Sequence, residues 1–259
     1  MHSFIFAVAL PISLILGPAT AQESSGRQIA EMVDAANRVD SQISTQAMTL
    51  VRGGQTIVRQ LQFFSVTDAH NDSNVLVRFL APEDVRGTGL LRLEIGGVDQ
   101  IFLFLPALGR TREIRGSDRS GSFVGSDFSF SDLGSRDLDD YDYELLRSDT
   151  VDGQEVYVLE SVPATDEVLE ETGNSRRVAL IRKDILLPVR VEFYDQNGEL
   201  EKVLLLLNIQ EVASGIFQPN RLEMTNVQET TSTILEFSNR QVNMLLPEDT
   251  FTVENLEQF

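Results

Sequence analysis

The chain has 259 residues, with 40 Asp and Glu against 21 Lys and Arg, for a formal net charge of −19 at pH 7. Such an acidic balance repels nucleic acid and anionic headgroups, so neither is an expected partner through general electrostatics. With no Cys and only two His, the chain offers no disulfide framework, thiol nucleophile, thiolate zinc site or multi-histidine metal site, and little scope for a Ser-His-Asp triad.

Residues 4–16 form an apolar run of signal-peptide length, shorter than the ~20 residues of a membrane span. Ala19-Thr20-Ala21 gives the small-x-small pattern of a cleavage site, with cut expected before Gln22. The start carries only His2 and no Lys or Arg, and Pro11 and Pro18 argue against a buried helix there. The reading is export to the periplasm, with 1–21 removed and 22–259 left as one soluble domain. No Cys follows the cleavage site, so no lipid anchor is expected. His70 sits in the polar turn Thr67–Asn74 and reads as a solvated loop residue.

The first mature element reads as a helix over 27–44. Ile29, Met32, Val33, Ala36 and Ile43 share one face, with Glu31, Asp34, Asn37 and Arg38 on the other. After about residue 45 the period switches to two, as in Ile57–Phe63. Strands follow at 75–80, 90–95 and 101–105, the last two joined by the hairpin turn Gly96-Gly97-Val98-Asp99. Later strands are expected at 155–162, 177–182, 189–194, 201–211, 220–227 and 232–238, separated by turns that include Val151–Gln154, Leu187-Pro188 and Asp195–Gly198. Many short strands in series predict an antiparallel meander, an α+β but mainly β fold. Val203–Leu207 is apolar at every position and predicts a strand covered on both faces. Bulky residues on such a sheet serve equally as ordinary core or as the lining of a ligand cavity, and periodicity does not choose between these.

Four segments carry a resemblance. They are Phe79-Leu80-Ala81-Pro82-Glu83-Asp84-Val85-Arg86-Gly87-Thr88-Gly89-Leu90-Leu91, Phe102–Arg112, Ser122–Leu133 and Asp140–Leu146. Their order and spacing resemble the outer-membrane lipoprotein-sorting protein family, related to the periplasmic lipoprotein carrier and its outer-membrane receptor. The resemblance implies a strongly curved antiparallel half-barrel with helices capping its concave face and an apolar cavity between. It implies lipid or lipoprotein cargo, a partner transporter of the resistance-nodulation-division (RND) type, transient membrane contact, and neither enzymatic activity nor a cofactor. The cavity lining expected on that basis is Phe63, Phe79, Leu91, Leu93, Phe102, Phe104, Val191, Phe193, Leu205 and Leu207, a set that a one-residue error of register would swap. The loops at Pro82–Gly89 and Gly125–Asp127 read either as a docking edge or as caps on the barrel's open end.

Arg110, Arg112, Arg115 and Arg119 form a basic island in an acidic chain. They read either as a solvated face or as contacts to a lipid phosphate or an acidic partner. The acidic stretch Asp137, Asp139, Asp140, Asp142 lacks the Gly and the bidentate Glu of a calcium loop and reads as solvated. Two other classes stand beside the carrier: an envelope-stress sensor built on the same half-barrel, and a lipid- or glycan-directed enzyme. The sensor would need a further partner-binding domain, and no linker marks one. The enzyme lacks a G-x-S-x-G motif.

Overall fold

The computed structural model describes residues 25–68, 72–134 and 137–258; the expected signal peptide and His70 lie outside them. The described chain opens with α1 (Gly26–Ala35), started by a capping box in which Ser25 and Gln28 bond reciprocally. The helix stops nine residues short of the expected end. Ala36 leaves helical geometry, and Asn37 takes a φ of 57° with its side chain bonded to the Ile185 carbonyl at 2.8 Å.

Residues 36–44 are therefore not helical: Ile43 belongs to β1 (Ser41–Arg52), a strand the periodicity missed. β1 buries Gln42, Ser44 and Gln46 on the same face as Met48 and Leu50, and those polar residues hid its alternation. After β1 come β2 (Gln55–Thr67), β3 (Ser73–Ala81), β4 (Gly89–Ile95), β5 (Val98–Leu105) and β6 (Arg110–Ile114). A crossover of short 3-10 turns then leads to β7 (Tyr141–Val151) and β8 (Gln154–Pro163), followed by α2 (Asp166–Thr172). The chain continues through β9 (Arg176–Arg182), β10 (Leu187–Tyr194), β11 (Leu200–Ala213), β12 (Ile216–Asn226) and β13 (Thr231–Val242), and ends at α3 (Val253–Leu256).

These strands make one antiparallel sheet in the order β6-β5-β4-β3-β2-β1-β13-β12-β11-β10-β9-β8-β7. Two meanders thus join where β13 pairs with β1, and the sheet stays open, with β6 and β7 as its edges. It is the predicted half-barrel. Neither β6 nor β7 was expected as a strand, and Leu187-Pro188 lies inside β10, with the chain turning at Leu186 (φ 48°) instead.

Directly paired residues point to one side of a sheet, so the registers define the faces. One face runs through Leu103, Leu90, Val77, Phe63 and Ser44 on the first meander. On the second it runs through Thr233, Met224, Leu204, Val191, Ala179, Leu159 and Leu145. This is the concave face. α1 covers its β7–β9 end, setting Ile29 and Ala30 on Leu159 and Ile181. A Cβ on Gly26 would stand 2.6 Å from the Tyr143 carbonyl oxygen, so glycine lets the helix start against β7.

The middle of the concave face is filled by the crossover rather than by a helix. Phe123, Phe128 and Phe130 sink among Leu61, Phe79, Leu90, Ile101 and Met224. Phe123 stacks 5.7 Å from Phe79 and 5.8 Å from Phe130, the latter edge-on. Asp127, 5 % exposed, anchors this plug: its carboxylate accepts from the hydroxyls of Thr231 and Thr233 and lies 3.4 Å from Arg52.

The outer face carries a second, smaller core. Phe251, Val253 and Leu256 close over Leu76, Leu91, Phe64, Leu93, Phe102 and Phe104. Gly89 makes room, since a Cβ there would meet Leu256 Cδ1 at 2.6 Å. No helix among the described residues is long and apolar enough to cross a membrane.

Candidate ligand groove

Between α1 and the first meander the concave face is not filled. A groove of about 1090 Å³ remains, bounded by α1 and its following turn, the segment 137–139, the β4–β5 turn and the ends of β12 and β13. Its apolar floor is short: Val39, Phe63, Leu138, Pro219 and Phe237. Charge dominates the walls. Arg27 donates to Glu31 at 2.9 Å, to Asp139 at 2.7 Å and to the Leu138 carbonyl at 2.9 Å. Arg38 pairs with Asp34. Arg92, nearly buried, pairs with Asp99 at 3.2 Å and donates to Ser73 Oγ at 2.8 Å. Arg240 completes the set, bonded to Asn220 and the Pro219 carbonyl. A second, smaller cavity of about 170 Å³ lies under α1, lined mainly by Ala30, Val33, Leu159, Ile181 and Val191.

This geometry redistributes the ten residues expected to line one apolar cavity. Phe63, Phe79, Val191 and Phe193 face the concave side, but Phe79 and Phe193 are buried in the core formed with the plug. Phe63 alone reaches the large groove and Val191 the small cavity. The other six do not line a concave cavity. Leu91, Leu93, Phe102 and Phe104 lie on the outer face beneath the C-terminal segment. Leu205 and Leu207 pair with Arg190, Glu223 and Arg221, also on the outer face, where both are half-buried beside charged chains. Periodicity identified both faces as apolar but could not show that the chain's own C-terminus covers one of them. The groove residues the sequence reading missed, Arg27, Arg38, Arg92, Phe237 and Arg240, come from distant elements that only the sheet order brings together.

A family model described as an uncharacterized protein matches residues 71–258. The fold matches that of an outer membrane lipoprotein-sorting protein domain from Vibrio parahaemolyticus at 30% identity and a TM-score of 0.84, covering 90% of this chain and 98% of that one. The chain belongs to the outer-membrane lipoprotein-sorting protein family. A DUF1329 family protein from Desulfovibrio piger is equally similar, at 30% identity and a TM-score of 0.83, covering 89% and 97% of the two chains. A LolA superfamily protein from Nitrosomonas europaea shares the fold at 20% identity and a TM-score of 0.70, covering 90% of this chain and 100% of that one. No curated protein matches the chain.

In this chain the basic island is mostly spoken for. Arg112 lies 3.4 Å from Asp118, Arg115 pairs with Glu113, and Arg119 holds Glu171 at 3.0 Å and the Asp99 carbonyl at 2.6 Å. Arg110 is exposed on the edge strand β6. Beside the groove, burial and then the charges of Asp137, Glu171, Asp139 and Asp99 hold the Asp140 carboxyl above its usual range. The folded state then binds this proton more tightly than the unfolded chain does. The group therefore favours folding at low pH, and it becomes a cost as the pH climbs through the raised value. Asp140→Asn is expected to raise the melting temperature at neutral pH. The gain should vanish below about pH 3, where Asp140 carries its proton in both states. Thermal melts across that range check it; a variant less stable than the parent at neutral pH would contradict this account.

Proposed function

We propose that this chain is a periplasmic carrier that takes a lipid or lipoprotein acyl chain into the concave groove and passes it between membranes without catalysis. The observation that supports this most is the groove itself: about 1090 Å³ of open space on the concave face, with Phe63 and Phe237 on its floor. That volume lies just above the range of ordinary small-molecule sites, roughly 300–1,000 Å³. Each CH₂ brought out of water there contributes about 0.8 kcal/mol. Membership of a lipoprotein-sorting family supports the cargo class. A charged wall above a short apolar floor suits an amphiphile better than a wholly apolar molecule. Unloading falls to a partner, for which an inner-membrane RND-type transporter is the proposal, with exposed Arg110 as its contact.

Native mass spectrometry of mature protein purified from its own periplasm tests the reading. We expect an acyl-containing adduct that is lost in folded Phe63→Asp. Protein that emerges empty and takes up no fluorescent fatty acid would overturn it.

A further inference from the structure

β13 is irregular inside the groove. Thr45 faces Ser238 and Ile43 faces Gln241, so Asn239 and Arg240 together stand opposite Ser44. Asn239 absorbs the extra residue at a φ of 50°. The bulge turns Arg240 into the groove beside Phe237, whose ring centroid lies 5.0 Å from the guanidinium carbon.

Three of the four arginines around the groove have carboxylate partners: Glu31 and Asp139 for Arg27, Asp34 for Arg38, Asp99 and Glu94 for Arg92. Arg240 has none among the described residues. Its Nη1 donates to Asn220 Oδ1 at 2.8 Å and its Nη2 to the Pro219 carbonyl at 2.7 Å, both neutral acceptors. Its Nε is buried without a partner, and so is the hydroxyl of Ser44, on the same face at the same step of the sheet. Burial works against the charge, and no carboxylate among the described residues pairs with it to offset that cost.

We infer that Arg240, aimed by Asn220 and backed by Phe237, binds the anionic head group of the groove's amphiphile, a carboxylate or a phosphate. The inference rests on the carrier reading above. An oxyanion supplies the counter-charge that Asp and Glu supply to the other three arginines, and the planar fork of N–H donors matches its geometry. The chain's negative charge does not forbid this: Asp34, Glu94 and Asp139 in the groove wall are paired with Arg38, Arg92 and Arg27, and exposed charges more than about 8 Å away are screened at physiological salt. The alkyl chain then lies along Phe63 and Phe237.

Isothermal titration with dodecanoate, dodecyl phosphate and dodecanol, each below its aggregation limit, tests the assignment. The parent protein is expected to bind one or both anions at least about 10-fold more tightly than the alcohol, the worth of a charge-assisted hydrogen bond. The tighter anion identifies the head-group class. Arg240→Gln should reduce the preference to within about twofold and leave dodecanol unaffected. Asn220→Asp gives Arg240 an internal carboxylate and should remove the preference without truncating the arginine, which covers a Gln variant that fails to fold. A parent protein that binds all three alike, or a preference that survives both substitutions, overturns the Arg240 site and leaves the carrier standing. Failure of the parent to bind any of the three overturns the carrier reading and this site with it.

Discussion

Asp127→Ala is expected to lower stability by about 3 kcal/mol, because it leaves two threonine hydroxyls and the end of Arg52 without the charged acceptor that now satisfies them. For a chain of this size, that corresponds to a fall of about 6–12 °C in melting temperature. The mechanism is local. The Asp127 amide also donates to Thr233 Oγ1 at 2.9 Å, so backbone and side chain together fasten the crossover to β13. With the carboxylate gone, the Phe123–Phe130 plug keeps its apolar contacts, the Asp127 amide bond to Thr233 and the Arg59 bond to the Val124 carbonyl, but it loses its charged anchor and should loosen from the sheet. Increased binding of an apolar dye in the folded baseline would report this directly. Asp127→Asn keeps one acceptor oxygen and should lose roughly half as much. A change below about 1 kcal/mol for Asp127→Ala would mean that the phenylalanines suffice without the anchor.

Leu256→Asp is expected to be at least as damaging, by about 4 kcal/mol or more, since it deletes a side chain only 2 % exposed and buries a carboxylate among apolar neighbours. The C-terminal segment would then detach from Leu76 and Leu91. Arg78, which donates to the Asn255 carbonyl and to its side-chain oxygen at 3.0 Å, would lose its partners there. Leu245→Asp, at a fully exposed leucine earlier in the chain, should change stability by no more than about 0.5 kcal/mol. Urea unfolding of the two variants separates the cases. Similar midpoints would show that the C-terminal segment contributes little to the fold. Neither substitution touches the groove, so ligand uptake by the fraction still folded should be unchanged.

The same outer core explains where reading the sequence went astray. Leu91, Phe102 and Phe104 carry a strong apolar signal, and the signal was real; its destination was the C-terminal segment rather than a ligand. A strand apolar on both sides records only that something covers each face. β1 fails in the opposite direction. Its inward Gln42, Ser44 and Gln46 are buried polar residues, so the period of two was invisible and the helix before it was drawn too long. The short edge strand β6 and the charged outer positions of β7 gave too little apolar alternation to register.

By itself the sequence determined the mainly β class, the meander, most strand positions of the second half and the family resemblance. These depend on local periodicity, turn residues and spaced motifs, all written within a few residues of one another. The tertiary structure alone decided which face each apolar residue serves, that the Phe123–Phe130 segment fills the concave face, and that Arg240 stands in a groove with no carboxylate partner among the described residues. Each of these turns on strand register or on residues far apart in the chain. A one-residue bulge such as that at Asn239 reverses facing without leaving any mark on composition or period.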